Sequence, residues 1–166
     1  MIQTTVGRDA FRTTTQGLAA LIAVESYLRE SGLDPRLMAL VNVRVSQING
    51  CANCLHMHTH EARRLGESEA RLYLLDAWRE SAMYSERERA ALAWAEALTN
   101  IRESHAPEPV YQRARAEFSD KELYDLSIAI AMINVWNRLA IGARAVHPAD
   151  RAAAKQASAV LEGSPH

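Results

Sequence analysis

The segment Asp34-Pro-Arg-Leu-Met-Ala-Leu-Val-Asn-Val-Arg-Val-Ser-Gln-Ile-Asn-Gly50 carries the signals of a complete helix, and Cys51-Ala-Asn-Cys54 follows it directly. An aspartate before a proline is typical of a helix start, because the carboxylate caps free N–H groups and proline suits the first turn. Asn49-Gly50 is a turn dipeptide that ends the helix. Apolar residues between these signals recur at the spacing of one helix face: Leu37, Leu40, Val41 and Val45. The segment therefore predicts two helices that meet at a corner beside the cysteines.

Helical spacing of apolar residues continues on both sides of this segment, and no run alternates in the way a strand does. The pattern predicts an all-α, single-domain bundle of about seven to eight helices over residues 1–166. Its core should span about 11–146, and a helical tail should follow at 149–161. The first helix should place Leu18, Leu21, Ile22 and Leu28 on its inner side. Helices are expected at about 11–31, 34–49, 51–65 and 68–78, from 85 onward, at 107–118 and at 119–146.

The composition limits the classes of partner and location. The formal net charge of -1 gives no reason to expect nucleic acid or an anionic membrane surface as a partner. The N-terminus lacks the apolar stretch of a secretory signal. Polar residues interrupt the most apolar segment, 126–141, so we expect no membrane span. We therefore expect the protein in the cytoplasm, where a cysteine pair is more often catalytic, sensing or metal-binding than structural.

Cys51 and Cys54 are the only two cysteines of the chain. On a helix, residues three and four apart share a face, so Cys51, Cys54 and His58 should form one stripe. The helix N-terminus stabilises an anion, which lowers a thiol pKa and favours the reactive thiolate. The histidine can take up and return a proton near neutral pH. These residues predict a peroxide-reducing cycle through a sulfenic acid and then a disulfide, which a reductant reopens.

Two other interpretations of the cysteines remain open. Both could be small core residues. Together with His58, and with His56 or His60, they could instead bind zinc, although structural zinc sites usually draw ligands from two segments and no second cluster is visible. His105 and His147 are isolated in the sequence. No strand flanks the pair as the thioredoxin fold requires. No nucleotide or metal motif predicts a cofactor.

The segment Arg44-Val-Ser-Gln-Ile-Asn-Gly-Cys-Ala-Asn-Cys-Leu-His-Met-His58 closely resembles the core motif of the alkylhydroperoxidase D-like branch of the carboxymuconolactone decarboxylase family. Weaker matches are Glu86-Arg-Glu-Arg-Ala-Ala-Leu-Ala-Trp-Ala-Glu-Ala-Leu-Thr99 and Ile133-Asn-Val-Trp-Asn-Arg138. The resemblance covers about residues 11–146. It implies an all-α fold that forms homo-oligomers, such as dimers, trimers or hexamers, with the redox site near a subunit interface.

The resemblance also implies roles for the motif residues. Cys54 would attack a hydroperoxide, Cys51 would resolve the sulfenic acid, and His58 would belong to a proton relay. The reductant would be a dithiol or a lipoyl-type protein. Lactone decarboxylation is not expected, because the decarboxylase branch lacks the cysteine pair.

The relay of the family commonly includes a glutamate twelve residues before the first motif cysteine, where this chain has Ala39. A carboxylate from elsewhere could substitute: Glu25, Glu96 and Asp125 are candidates. The missing glutamate also motivates a second hypothesis, a non-catalytic redox sensor or assembly protein that uses the same cysteines. Polar residues in the apolar 126–141 segment could line the site or an interface: Asn134, Trp136, Asn137 and Arg138.

Overall fold

The computed structural model of the chain describes residues 15–145, together with residues 147 and 150. Its regular secondary structure over 15–145 is entirely helical, so the predicted all-α class is confirmed. Eight α-helices and one 3₁₀ turn follow one another in this part of the chain: α1 (Gln16–Glu30), α2 (Pro35–Asn49), α3 (Ala52–Arg64), α4 (Glu69–Leu74), the 3₁₀ turn (Leu75–Ala77), α5 (Glu86–Thr99), α6 (Ile101–Ser104), α7 (Glu108–Glu117) and α8 (Asp120–Gly142).

Helix α2 begins and ends at the predicted residues. Asp34 Oδ1 accepts a hydrogen bond from the N–H of Arg36 at 2.8 Å, and Pro35 occupies the first turn. At the other end, Gly50 adopts a left-handed conformation with φ +67°, which disfavours residues with a Cβ. This conformation ends α2 and directs the chain into α3. The predicted corner beside the cysteines is therefore confirmed.

Helices α2, α5 and α8 pack together and form the centre of the molecule. Val41, Trp94 and Ile130, one from each helix, belong to one buried apolar cluster. A second cluster includes Leu40 and Trp78, where α2 meets the residues around the 3₁₀ turn. Each such side chain contributes roughly 1.5–3 kcal/mol when it is fully buried. Helix α2, which leads into the α2–α3 corner, thus contributes buried side chains to both apolar clusters.

Two helices begin with reciprocal capping boxes. In α5, Ser85 caps the N–H of Glu88 while the Glu88 carboxylate accepts from the N–H of Ser85. Ser119 and Glu122 form the same pair at the start of α8. Hydrogen bonds from the backbone and hydroxyl of Ser119, and then from Arg87, lower the pKa of Glu122 to about 2.

Several predicted boundaries are corrected by the structure. The helix expected over 68–78 ends at Leu74 and continues as the 3₁₀ turn, whose three-residue period puts Leu75 and the following Trp78 on the same buried side. The short helix α6 was not predicted, because its four residues carry no apolar periodicity. Helix α8 ends at Gly142 rather than near 146, and Arg144 then has φ +51°. The tail expected at 149–161 lies almost entirely outside the described residues.

Helix α1 is the least embedded of the long helices. None of its residues is fully buried, and Ile22 is 50% exposed, so its predicted place on the inner side is wrong. Tyr27 Oη donates to Asp125 Oδ1 at 2.7 Å, and Lys121 Nζ donates to Asp125 Oδ2 at 2.7 Å. The first contact attaches α1 to α8. The second lies within α8, and Lys121 Nζ also donates to the main-chain oxygen of Ser31, the C-cap of α1, at 2.9 Å. Of the helices in the described part of the chain, none has the length and apolar character that a membrane crossing requires.

Candidate active site

The two cysteines lie at the start of α3 and are joined by a disulfide, with their Cα atoms 5.3 Å apart. Cys51 is the N-cap residue: its sulfur accepts from the N–H of Cys54 at 3.4 Å, in the role that serine or aspartate usually takes. The N–H of Cys51 in turn donates to the main-chain oxygen of Ser46 at 3.1 Å. Both cysteines are almost completely buried. The predicted spacing at the helix N-terminus therefore places the sulfurs within bonding distance.

A cavity of about 1090 Å³, which we call the α1 cavity, lies between helices α1, α2, α3 and α8. Cys54 and His58 both line it from α3, whereas Cys51 does not. The two sulfurs consequently differ in their access to a ligand in the cavity. Much of the remaining wall is apolar and comes from the other three helices: Leu18, Leu21, Leu28, Met38, Ile133 and Leu139.

His58 is oriented by a carboxylate one turn further along α3. Its side chain is mostly buried, and its Nδ1 lies 3.3 Å from Oε2 of Glu61. Because a carboxylate only accepts hydrogen bonds, this contact places a proton on Nδ1 and leaves Nε2 uninvolved in it. Glu61 also lines the α1 cavity. It was missed in the sequence, although the three-residue spacing from His58 on a helix was the available signal.

Ala39, which stands where the resemblance implies a relay glutamate, lines the same cavity and is 2% exposed. Of the three carboxylates considered as substitutes, Glu25 also lines the cavity. Trp136 Nε1 donates to Glu25 Oε1 at 2.7 Å, which holds this α1 side chain against α8. Of these substitutes, Glu25 is therefore the one that can share a ligand with Cys54.

Glu96 does not line the cavity, and its carboxylate binds other side chains. Its Oε1 accepts from Arg44 Nε and Trp78 Nε1, both at 2.8 Å, and its Oε2 pairs with Arg79. Burial alone would raise its pKa, but these donors outweigh that effect and hold the pKa of Glu96 below its usual range. The carboxylate thus acts as the ionised centre of a structural ion-pair cluster.

Asp125 is likewise excluded as a partner of His58, because it binds Tyr27 and Lys121 and does not line the cavity. Burial opposes ionisation of this carboxyl group, yet the hydrogen bonds from Lys121 and Tyr27 lower its pKa. Asp125 therefore belongs to the attachment of α1 rather than to the redox centre.

The polar residues of α8 divide into two groups. Trp136 lines the cavity, as expected for a residue near the site, whereas Asn134 and Asn137 are buried behind it. Arg138 Nη1 donates to the main-chain and side-chain oxygens of Asn134 at 3.0 and 2.8 Å. Asn134 and Asn137 thus bind other protein groups and do not line the cavity.

His147, which is isolated in the sequence, contacts a second histidine in the fold. The rings of His56 and His147 meet edge to face with their centroids 4.5 Å apart, because the chain after α8 returns to α3. The described residues contain no group of three or more His, Cys, Asp or Glu side chains placed to hold a metal ion. The structure therefore gives the zinc interpretation no support.

Comparison with known proteins now identifies the family. The family model for the carboxymuconolactone decarboxylase family matches residues 9–97. The uncharacterized protein YdfG of Bacillus subtilis is 38% identical over 131 residues, which are 79% of this chain and 89% of YdfG.

Two solved structures share the fold. A protein of unknown function from Agrobacterium tumefaciens, described as a candidate antioxidant defence protein AhpD, is 42% identical with a TM-score of 0.82, over 87% of this chain and 99% of its own. An uncharacterized peroxidase-related protein from Silicibacter sp. TM1040 is 25% identical with a TM-score of 0.70, over 81% and 72%. The resemblance inferred from the motif is confirmed: the chain belongs to the carboxymuconolactone decarboxylase family and has the AhpD-like helical fold.

Proposed function

We propose that the protein is a thiol-dependent peroxidase in which Cys54 attacks the hydroperoxide, Cys51 resolves the product and His58 carries protons. The observation that supports this most strongly is the asymmetry of the disulfide. Cys54 shares the α1 cavity with His58, whereas Cys51 approaches Cys54 from outside the cavity. A ligand in the cavity therefore meets one sulfur and one imidazole, which is what a peroxide-cleaving site needs.

The first step oxidises Cys54 by two electrons. Its thiolate attacks the terminal oxygen of the hydroperoxide, the O–O bond breaks, and the alkoxide takes a proton from the protonated His58 and leaves as an alcohol. In the second step the Cys51 thiolate attacks the sulfenic sulfur of Cys54. The S–S bond forms, the S–O bond breaks, and the oxygen leaves as water after protonation.

In this proposal Glu61 orients the imidazole of His58, which alanine at position 39 cannot do. Its contact with Nδ1 of His58 favours the tautomer whose Nε2 is available to accept a proton from a thiol or, once protonated, to donate one to the leaving oxygen. This contact is partly exposed, and exposed ion pairs are weak. We therefore assign Glu61 a supporting role and the proton transfer itself to His58.

A dithiol or lipoyl-type reductant protein would close the cycle. Its thiolate would attack Cys54 through the cavity and release Cys51 as a thiolate, and a second thiol of the reductant would then free Cys54. The N–H of Cys54 points at the Cys51 sulfur, so the helix N-terminus would stabilise this leaving group. The cytoplasm, which supplies such dithiols, is the compartment that we propose.

The cavity favours apolar organic hydroperoxides over hydrogen peroxide as substrates, because its wall is largely aliphatic and its volume of about 1090 Å³ suits a bulky molecule. We also propose that the protein works as a homo-oligomer, as its family resemblance implies. Nucleic acid and membranes are not part of the proposal.

The proposal is tested by following hydroperoxide consumption in the presence of a small dithiol. With the dithiol present, the Cys54→Ser variant should be inactive. Pre-reduced Cys51→Ser, assayed after the dithiol has been removed, should consume about one equivalent and stop at a sulfenic acid that an adduct-forming reagent traps on Cys54. Full turnover by Cys54→Ser would contradict the assignment. The sensor hypothesis predicts instead that wild-type protein is oxidised once, without turnover, and changes its elution volume in gel filtration.

A further inference from the structure

A buried network of amide and hydroxyl side chains lies directly behind the α2–α3 corner. Asn49, the last residue of α2, donates from Nδ2 to Oδ1 of Asn134 at 3.0 Å and to Oδ1 of Asn137 at 2.8 Å. Both acceptors belong to α8, and Asn137 is completely buried. A single half-buried amide at the corner is thereby fixed from two successive turns of the central helix.

The network reaches Cys51 by a second route. Asn137 Nδ2 donates to Oγ of Ser46 at 3.1 Å, and the main-chain oxygen of Ser46 accepts from the N–H of Cys51 at 3.1 Å. Asn137 thus contacts two residues of the last turn of α2, Ser46 and Asn49. Gly50 is the one residue between Asn49 and Cys51.

The other end of the network is anchored in the core. Asn134 Nδ2 donates to Oγ1 of Thr99 at 3.1 Å and to the main-chain oxygen of Ile130 at 2.9 Å. Neither Asn134 nor Asn137 lines the α1 cavity, so neither touches a ligand there. A buried polar network of this kind rigidifies the segment that it contacts, because any movement leaves a polar group without its partner.

We propose that Asn137 and Asn49 are positioning residues that hold Cys51 at bonding distance from Cys54 in the reduced protein, so that disulfide formation requires little rearrangement. This proposal builds on the redox role proposed for the pair, but it concerns the dithiol–disulfide equilibrium and needs no peroxide. Ordering the corner in advance raises the effective concentration of one thiol at the other, which stabilises the disulfide relative to the dithiol.

The test is the equilibrium of the protein disulfide with reduced and oxidised dithiothreitol, read by mass spectrometry of alkylated thiols. In this exchange the reagent is oxidised as the protein disulfide is reduced. We expect Asn137→Leu, which keeps the shape of the side chain, to shift the equilibrium about tenfold toward the dithiol, or about 30 mV for this two-electron couple. Asn49→Ala should shift the equilibrium in the same direction. If Asn137→Leu does not fold, Asn49→Ala alone tests the proposal.

Thr99→Val is the matched control. It removes a buried hydroxyl at the far end of the network, while Asn134 keeps Ile130 as an acceptor and Asn49 keeps both of its hydrogen bonds. It should leave the equilibrium unchanged, even if its melting temperature falls. When Asn137→Leu is added to Cys51→Ser, an alkylating reagent should react with Cys54 at the same rate as in Cys51→Ser alone. An unchanged rate would show that Asn137 positions Cys51 and that its loss does not loosen α3 in general.

Two results would overturn the proposal. One is an equilibrium in Asn137→Leu and Asn49→Ala that stays within twofold of the wild type. The other is a Thr99→Val variant that shifts as far as they do, which would attribute the effect to general packing. A protein that forms its disulfide normally but fails to turn over peroxide would refute the proposed peroxidase function and leave this inference standing.

Discussion

At the scale of single residues, the structure makes two chemically identical side chains unequal. Cys51 is a helix cap whose sulfur accepts a hydrogen bond from a backbone N–H, whereas Cys54 lines the cavity together with His58. In the proposed cycle, Cys54 therefore attacks the hydroperoxide, and Cys51 is the leaving group when the reductant opens the disulfide. A helix terminus that stabilises one sulfur as a leaving group is consistent with this order, since a thiol with a lower pKa leaves faster.

The roles of His58 and Glu61 lead to a graded prediction. Replacing His58 by glutamine removes the proton carrier and should lower the rate of Cys54 oxidation by an organic hydroperoxide about 100-fold or more. Glu61→Gln keeps a polar partner for the imidazole and should lower the rate by less than about tenfold. Stopped-flow fluorescence of the reduced protein measures both rates.

Met57→Leu is the control for these two variants, because Met57 lines the same cavity and carries no proton. It should oxidise at nearly the wild-type rate. Equal losses in the Met57 and His58 variants would show that cavity shape, rather than proton transfer, determines the rate.

At the scale of elements, local signals explain which parts of the fold were predictable. The α2–α3 corner follows from neighbouring residues, with an Asp-Pro start, an Asn-Gly end and a cysteine pair at helical spacing. Glu61 obeys the same local spacing and could have been found. The contact of Asn49 with Asn134 and Asn137 could not, since it joins residues 85 and 88 positions apart.

The α1 cavity also could not be predicted from the sequence. Apolar residues at helical spacing in α1 predicted a side that faces a closed core, yet Leu18 and Leu21 line a cavity and Ile22 is half exposed. Periodicity identifies the apolar side of a helix but does not determine whether the space beneath it is filled. That depends on how four helices from distant parts of the chain pack together.

The left-handed conformation of Gly50 gives a prediction about the corner. Gly50→Ala should lower the free energy of unfolding by about 1 kcal/mol, because an L-residue at φ +67° is strained. The new Cβ would meet no heavy atom within 4 Å, so the loss would come from the backbone alone. Urea denaturation at neutral pH measures the difference.

Gly17→Ala is the matched control for this prediction. Gly17 lies inside α1 with φ outside the left-handed region, and an added Cβ would make an ordinary contact with Thr15 Oγ1 at 3.5 Å. This variant should be as stable as the wild type or more stable, by up to about 1 kcal/mol. A destabilised Gly17→Ala together with an unaffected Gly50→Ala would contradict the backbone argument.

The capping box of α8 gives a prediction about pH. The pKa of Glu122 is about 2 in the folded protein, compared with about 4.3 when unfolded, so its stabilising effect is present above the unfolded value and disappears as the pH falls through this range. Glu122→Gln should lower stability at neutral pH by about 1 kcal/mol, since water screens a side chain that is one third exposed.

The difference between Glu122→Gln and wild type should shrink between about pH 4.3 and pH 2, as measured by urea denaturation at each pH. Glu103→Gln is the control, because it removes a carboxylate from the exposed helix α6 without affecting a cap. A difference that stays constant down to pH 2 would contradict the assignment.

At the scale of the whole molecule, the fold combines an α2–α3 corner that hydrogen bonds from α8 hold in place with a helix, α1, that has no fully buried residue. α2, α5 and α8 form the buried core, and α2 and α8 also contact α3, which carries Cys54. Helix α1 lines the cavity beside Cys54 and has no fully buried residue. In the proposed peroxidase, this arrangement would combine a fixed attacking sulfur with a pocket that adapts to different apolar substrates.

Substrate preference should therefore depend on the cavity side of α1. Leu21→Asn places an amide in the apolar wall and should lower kcat/KM for a bulky aromatic hydroperoxide about tenfold, with little effect on hydrogen peroxide. Ile22→Asn, on the exposed side of the same helix, is the control and should change neither value. Equal losses for both substrates in Leu21→Asn would argue against binding in the cavity.

The most direct test of the account is the pH dependence of Cys54 alkylation in Cys51→Ser, where Cys54 is the only thiol. We expect the rate to reach half its maximum well below the pH of about 8.5 that marks a free cysteine. Adding His58→Gln should move this midpoint upward. A midpoint at or above 8.5, the same with and without the imidazole, would contradict the claim that this corner activates Cys54.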